Sequence, residues 1–320
     1  MSETAFDKEK NNLEQISNLK HPNLIRHIAT FRKGSQYYVI FPWANGGDLR
    51  NFWEQSKPDS ETRKLTTWCL QQMFGLASAL EALHGLNCRH GDLKPENIFH
   101  FKEGREEGKL IIADFGVSKV HVKGTLLRGV PTFERATTPS YEPPEVIPKQ
   151  DTARSRKYDI WSMGCILLEF VLWLLTDYEM IKAFDLARAG LGATSAAEAH
   201  FYKLVDNKAD NAEIHPAVLE VIEGIRKHPH YSGTALEALI ELICKRLLLV
   251  QVDSRCSAEE LRIELEKIVS KAEDPKNYSS YLFGDVNTPR DWLKDVSWAS
   301  GAISEIKTQD KDGLAPIPES

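Results

Sequence analysis

Apolar residues recur at helical spacing over long stretches of this chain and at strand-like density over a few short ones. Phe6, Leu13, Ile16 and Leu19 fall on one face of a helix, so residues 6–19 are expected to be helical. Leu24 to Phe31 and Tyr37 to Phe41 are β-rich runs parted by Lys33, Gly34 and Ser35, a pattern that predicts a hairpin. Leu65 to His84 keeps helical periodicity over several turns, and Cys165 to Leu175 is almost unbroken apolar sequence. Leu236 to Val250 and Ser257 to Lys271 predict two closing helices, the second with Ser257 and Glu260 spaced as a capping box. Between Asp177 and Ser232 the chain is more polar, and helices and loops are expected there. Beyond Glu273, aromatic residues persist through Tyr278, Tyr281, Phe283, Trp292 and Trp298, so this tail is expected to pack on the body. The stretch from Thr308 is polar and proline-containing, and disorder is expected for it.

Composition narrows the class. A chain of 320 residues with 42% hydrophobic content can bury a substantial core and exceeds one average domain. A formal net charge of −6 with no basic run argues against a nucleic-acid partner, because phosphate binding needs a concentrated positive face. Cys69, Cys88, Cys165, Cys244 and Cys256 are odd in number, widely spaced and set in apolar segments. They read as reduced core thiols, and a cytoplasmic location, with the nucleus left open, is the expectation. No secretory signal pattern opens the sequence, and the run from Gly164 to Leu175 is too short, and too acidic at Glu169, for a membrane span; no membrane is expected.

The chemistry-bearing residues cluster in order. HGDLKPEN holds Asp92, Lys94 and Asn97, and one hairpin's length later come Asp114, Phe115 and Gly116. An aspartate that meets a substrate hydroxyl, an asparagine five residues on and a second aspartate across a hairpin are what positioning and charge neutralisation in phosphoryl transfer require. Their oxygens are the hard ligands that magnesium prefers. Together these strings resemble the catalytic loop and metal-binding loop of the eukaryotic protein kinases. Downstream, TTPSYEPPE resembles the family's substrate-docking segment and Ala-Pro-Glu motif, with Pro143 in place of alanine. Asp159, Trp161, Ser162 and Gly164 resemble the opening of the buried central helix, whose aspartate pins the catalytic-loop backbone. Arg255 resembles the arginine that pairs with the motif's glutamate, here Glu145. The resemblance covers most of the chain.

That resemblance implies an α+β, protein-kinase-like two-lobed fold. Residues 1–43 would be the remnant of an incomplete small β lobe, 44–271 a mainly α-helical large lobe and 272–320 a C-terminal tail. It also implies roles. Asp92 would be the base, Lys94 would steady the transferring phosphoryl group, and Asn97 and Asp114 would hold magnesium; ATP and Mg2+ are the implied cofactors. Phe41 would be the gatekeeper of a hinge in which Pro42 and Ala44 meet adenine. Asp48 would face the ribose or else cap a helix, and Phe99 would floor the adenine pocket or else be ordinary core. The hinge string FPWANGGDLR is similar to that of kinase-like proteins of filamentous fungi. His27 departs from the family pattern, standing where a leucine usually completes an internal stack.

Lys94 with Thr138 is the serine/threonine-type choice, so protein serine and threonine hydroxyls are the implied substrates. His90 is followed by Gly91 where many kinases carry arginine, so a phosphate switch is not encoded in its usual form, although Thr125, Thr132 and Thr137 are loop threonines. No glycine-rich loop or Ala-x-Lys strand precedes Phe6. The expectation is therefore an N-terminally truncated serine/threonine kinase domain, inactive alone; the alternatives are a pseudokinase that serves as a binding or scaffolding module and a small-molecule kinase of related fold. Glu9 stands where the ion-pairing glutamate of the regulatory helix belongs, or is a solvated carboxylate on an amphipathic helix.

Overall fold

The structure, a computed structural model, describes residues 13–34, 36–55, 62–102, 107–114, 119–120, 139–146, 155–190, 199–205, 211–283 and 296–299. Residues 13–18 are helical (α1) and bury Leu13 and Ile16. Lys20, at φ 49°, ends this helix in the left-handed region. The upstream half of the expected helix, with Phe6, Lys8, Glu9 and Lys10, lies outside the described residues.

Strands β1 (Ala29–Lys33) and β2 (Gln36–Ile40) form the expected antiparallel hairpin. The strand does not begin at Leu24, as the sequence suggested. Residues 23–25 cross instead to strand β5 (Lys109–Ile112): Ile25 N–H donates to the Ile112 carbonyl at 2.9 Å, and Ile112 N–H to the Asn23 carbonyl at 2.9 Å. Burial decides this, because Leu24 and Ile25 are buried against the body while the hairpin leaves Ile28, Phe31, Tyr38 and Ile40 exposed.

The next elements carry the chain through the body. Helices α2 (Leu49–Glu54) and α3 (Thr62–Gly85) lead to β3 (Cys88–Arg89), a 3-10 turn at Pro95–Asn97 and β4 (Ile98–Phe101), which pairs with β5. Strand β6 (Lys119–Val120) pairs back onto β3. Helices α4 (Lys157–Leu175) and α5 (Tyr178–Ala189) follow. Next comes a short hairpin, β7 (Tyr202–Leu204) and β8 (Ala212–Ile214), where only helices and loops were expected. Each of its strands has three residues, too few for an alternating pattern to be visible. Helices α6 (Pro216–Arg226), α7 (Ala235–Leu242), α8 (Ala258–Glu273) and α9 (Tyr278–Tyr281) complete the described elements.

Helix α4 is the centre of the core. Every residue from Tyr158 to Leu174 is buried, so this helix is apolar all round except where a polar side chain reaches a neighbouring segment. It begins seven residues before the Gly164–Leu175 run, and by length and composition it could cross a membrane; almost all of it is enclosed by the protein. Gly164 lets the following helices approach: a Cβ there would meet Leu247 Cβ at 2.8 Å. The expected Leu236–Val250 helix stops being α-helical at Leu242 and closes in a π turn, Ile243–Leu247, against that glycine. The Ser257 capping box is present, with Glu260 N–H donating to Ser257 Oγ and Ser257 N–H to Glu260 Oε2. The described parts of the tail pack on the body: Tyr281, Leu282 and Phe283 are buried, Thr66 Oγ1 donates to the Phe283 carbonyl, and Trp298 stacks on Phe184. All five cysteines are free thiols, four of them buried and Cys244 half-buried.

Candidate active site

The site is built on the Pro95–Asn97 turn. Its capping position, Lys94, is extended, and proline at the first turn position fixes the local φ, so Lys94 and Asn97 leave the backbone on either side of one tight turn. Asn97 Nδ2 donates to the Asp92 carbonyl at 2.7 Å and to Asp92 Oδ2 at 3.0 Å. Lys94 Nζ lies 3.2 Å from the same carboxylate oxygen. Three of the expected catalytic residues therefore meet on one carboxylate. The donor end of the Asn97 amide is spent on Asp92, which turns its oxygen to the other side of the group.

The fourth, Asp114, is carried next to Asn97 by the backbone. Ala113 N–H donates to the Asn97 carbonyl at 2.9 Å, and Asp114 follows in the left-handed region at φ 58° with its side chain exposed. His90, fully buried, ties the two loops: Nε2 donates to the Ala113 carbonyl at 2.9 Å, and Nδ1 accepts Asp92 N–H at 3.3 Å, which assigns the neutral Nε2–H tautomer. Phe115, Gly116 and Thr138 lie outside the described residues.

Asp159 anchors this loop from below. Oδ2 accepts His90 N–H and Oδ1 accepts Gly91 N–H, each at 2.9 Å, and His84 Nε2 reaches Oδ2 at 2.8 Å. Burial alone would raise this carboxyl, but the bond and charge of His84 and the Gly91 N–H outweigh it and hold Asp159 below the usual carboxylate range. Gly91 has φ 86°, and a Cβ on it would come within 3.2 Å of Arg89 Nε, whose guanidinium lies over the Tyr158 ring. A glycine suits this position better than any side chain.

Where the hinge was expected, Phe41, Pro42 and Trp43 are exposed and Ala44 is half-buried. The glycine pair that follows meets β4 through backbone bonds, Gly46 N–H to the His100 carbonyl at 3.0 Å and His100 N–H to the Gly47 carbonyl at 2.8 Å. A Cβ on Gly46 would overlap the His100 ring at 2.4 Å, and Gly47 sits at φ 75°, so both positions require glycine. Asp48 then bridges to Phe99, which brings two expected nucleotide-site residues together. Asp48 serves as the helix cap: Oδ1 accepts Asn51 N–H at 2.8 Å, and the Asn51 side chain returns the bond to Asp48 N–H. Burial raises the Asp48 carboxyl above its ordinary value.

Around this core stand Tyr141 and Ser162, which the motifs contained without a role, and Glu169 and Arg188, which lie outside them. Tyr141 OH donates to Glu169 Oε2 at 2.7 Å, Arg188 Nη2 donates to Glu169 Oε1 at 3.0 Å, and Ser162 Oγ donates to the Tyr141 carbonyl. Arg188 lies between the rings of Phe184 and Phe201, at 4.0 and 3.7 Å. Burial pushes the Glu169 carboxyl up, and Asp185 adds to that, against the pull of Arg50 and Arg188. The signal was in the sequence: a lone acid inside an apolar helix must find partners.

Comparison with known proteins agrees with this geometry. Residues 2–263 match the family described as protein kinase domain. The chain is 32% identical over 167 residues to serine/threonine-protein kinase PKH3 of Eremothecium gossypii, covering 51% of this chain and 21% of that protein. It is 27% identical over 172 residues to serine/threonine-protein kinase Nek1 of Mus musculus, covering 53% and 13%. It is 29% identical over 160 residues to calcium/calmodulin-dependent protein kinase type 1 of Macrobrachium nipponense, covering 50% and 42%. The chain thus spans less than half the length of each of these relatives. With the Asp92, Lys94 and Asn97 cluster held over a buried Asp159, and a family match over most of its length, the chain belongs to the eukaryotic protein kinase superfamily.

Proposed function

We propose that this chain is a serine/threonine protein kinase domain that transfers the terminal phosphoryl group of ATP to protein hydroxyls. The observation that carries the reading is the shared carboxylate, with Asp92 Oδ2 held by Asn97 at 3.0 Å and Lys94 at 3.2 Å. A carboxylate so held keeps one geometry and can take the proton of an incoming serine or threonine hydroxyl. That hydroxyl oxygen then bonds to the terminal phosphorus, the bond to the bridging oxygen breaks, and ADP leaves. Lys94 balances negative charge on the transferring oxygens. Asn97 and Asp114 offer an amide oxygen and a carboxylate on adjoining backbone, a donor set that fits Mg2+ completed by phosphate and water. Bound there, the ion would supply charge neutralisation of the phosphates. The Pro42 carbonyl and Ala44 N–H would meet adenine, Phe41 and Phe99 would flank it, and Asp48 would face the ribose with the oxygen not used in its cap.

A second reading is a pseudokinase acting as a binding module, which would keep the fold and the nucleotide contacts without transferring phosphate. The free cysteines support a cytoplasmic location. The test is magnesium-dependent phosphotransfer to a peptide library, with Asp92→Asn as control and the phosphoamino acid identified. Phosphotyrosine as the main product would remove the serine/threonine assignment. ATP binding without transfer would favour the binding module.

A further inference from the structure

The chemistry just proposed needs the Lys94–Asn97 turn to keep its place against the segment 139–146, where an acceptor peptide would lie. One guanidinium outside that chemistry touches both. Arg50, in the first turn of α2, points Nε at Glu96 Oε1 at 3.3 Å and donates from Nη2 to Tyr141 OH at 2.6 Å. Its Nη1 lies 3.5 Å from Asp185 Oδ2 on α5, and its Nη2 lies 3.9 Å from Glu169 Oε2 on α4. Glu96 stands between Lys94 and Asn97 in the turn itself. The Trp53 ring, 5.7 Å from the guanidinium carbon, covers the group from α2.

Charge explains why this position takes an arginine. Glu96, Glu169 and Asp185 converge here, and among the described residues Arg188 pairs with Glu169 and Asp185. Arg50 is the cation that also meets Glu96, and its planar fork presents three nitrogens in three directions, which a lysine ammonium on a flexible stem does not reproduce. Burial works against its charge, but Tyr141, Glu169, Asp185 and Glu96 keep it protonated.

We propose that Arg50 is a positioning residue, whose guanidinium holds the Lys94–Asn97 turn and segment 139–146 in one register and couples both to the helix that follows the hinge. Its catalytic meaning rests on the kinase reading; the register it holds does not.

The test is amide hydrogen exchange by mass spectrometry on the whole chain, comparing wild type with Arg50→Met, Arg50→Lys and Tyr141→Phe. In Arg50→Met, peptides covering 93–99 and 139–146 exchange roughly tenfold faster, while α3 and α8 keep their protection. Arg50→Lys falls between, and Tyr141→Phe, which deletes one hydroxyl and keeps the ring, loosens 139–146 alone. If Arg50→Met does not fold, the other two variants carry the same comparison. In the phosphotransfer assay, Arg50→Met raises KM for the acceptor peptide about tenfold, a larger change than in KM for ATP, because the guanidinium bonds Tyr141 in segment 139–146 directly and meets the Lys94–Asn97 turn only through Glu96. Unchanged exchange in both segments, or equal loosening of α3 and α8, would overturn the proposal, because Arg50 would then be a buried cation of general stability only. Absence of transfer in wild type would count against the kinase reading and leave the exchange result to decide the role of Arg50.

Discussion

Arg255 closes on Glu145 with both ends of its guanidinium, Nη1 to Oε1 at 2.7 Å and Nη2 to Oε2 at 2.8 Å. The arginine side chain is wholly buried, under the Trp161 ring, and also donates to the carbonyls of Leu249 and Lys157. The glutamate side chain keeps 29% exposure, so the pair is buried from one side. It ties the Pro144–Val146 turn to the segment before α8.

Removing Glu145 strands a buried cation. Glu145→Ala is therefore expected to cost about 3 kcal/mol, the lower end of what breaking a buried pair costs, because the glutamate is partly solvated. Thermal melting reads this as a drop of several degrees. A melting temperature equal to wild type would mean that Arg255 finds full compensation in the backbone carbonyls alone.

Asp159 makes stability depend on acid. Its folded carboxyl lies below the ordinary 3.8, so between the two values the folded state binds fewer protons than the unfolded one. The stabilisation is complete above about pH 4 and declines as pH falls through that window. Asp159→Asn cannot accept from both His90 and Gly91, and leaving one of these N–H groups unsatisfied costs about 1–3 kcal/mol at neutral pH. Urea midpoints at pH 7 and pH 3 test this: the gap between variant and wild type should narrow in acid, and parallel midpoints would contradict it.

Asp92→Asn removes the proton acceptor but leaves a side chain of the same shape. Turnover should fall by about 100-fold to 10,000-fold, with little change in melting temperature. Because Lys94 and Asn97 converge on this group, Lys94→Met should lower turnover as well, and the two losses together should be less than additive. Fully additive losses would show that the residues act independently.

Gly91 predicts activity without a loop phosphate. Phosphatase treatment should leave turnover unchanged. Inserting the arginine common in other kinases should not help here: Gly91→Arg forces φ 86° on a residue with a side chain and crowds Arg89, at a cost of roughly 1–3 kcal/mol. Loss of activity on dephosphorylation would show that another cation, with Arg89 the nearest by position, reads the phosphate.

The hairpin carries an apolar face that the described residues leave open. Phe31 and Tyr38 stack at 4.9 Å on it, both exposed, with Ile40 exposed on the same face and Ile28 exposed just before β1. Paired Ile28→Thr and Ile40→Thr substitutions should raise the concentration at which residues 1–320 begin to aggregate. Light scattering that does not differ from wild type would place the sticky surface elsewhere.

What the sequence determined by itself lies within a few residues of each motif. The five-residue span from Asp92 to Asn97 allows the amide to fold back on the carboxylate, Pro95 sets the turn between them, and Ser257 with Glu260 caps α8. Periodicity likewise placed α3 and α8, because burying one face of a helix leaves its 3.6-residue repeat in the chain. The tertiary structure decided the partners. That Glu169 needs compensation is visible in an apolar run, but only packing brings it Tyr141, 28 residues upstream, and Arg188, 19 downstream. That Leu24 and Ile25 open a β-rich run was visible too, but not that they would be buried against β5 in place of a longer hairpin. Local sterics and periodicity are properties of neighbouring residues and can be read along the chain. The choice of which buried charge meets which is made by the low-dielectric interior, where an unpaired group is costly and any correctly placed partner serves, whatever its distance in sequence.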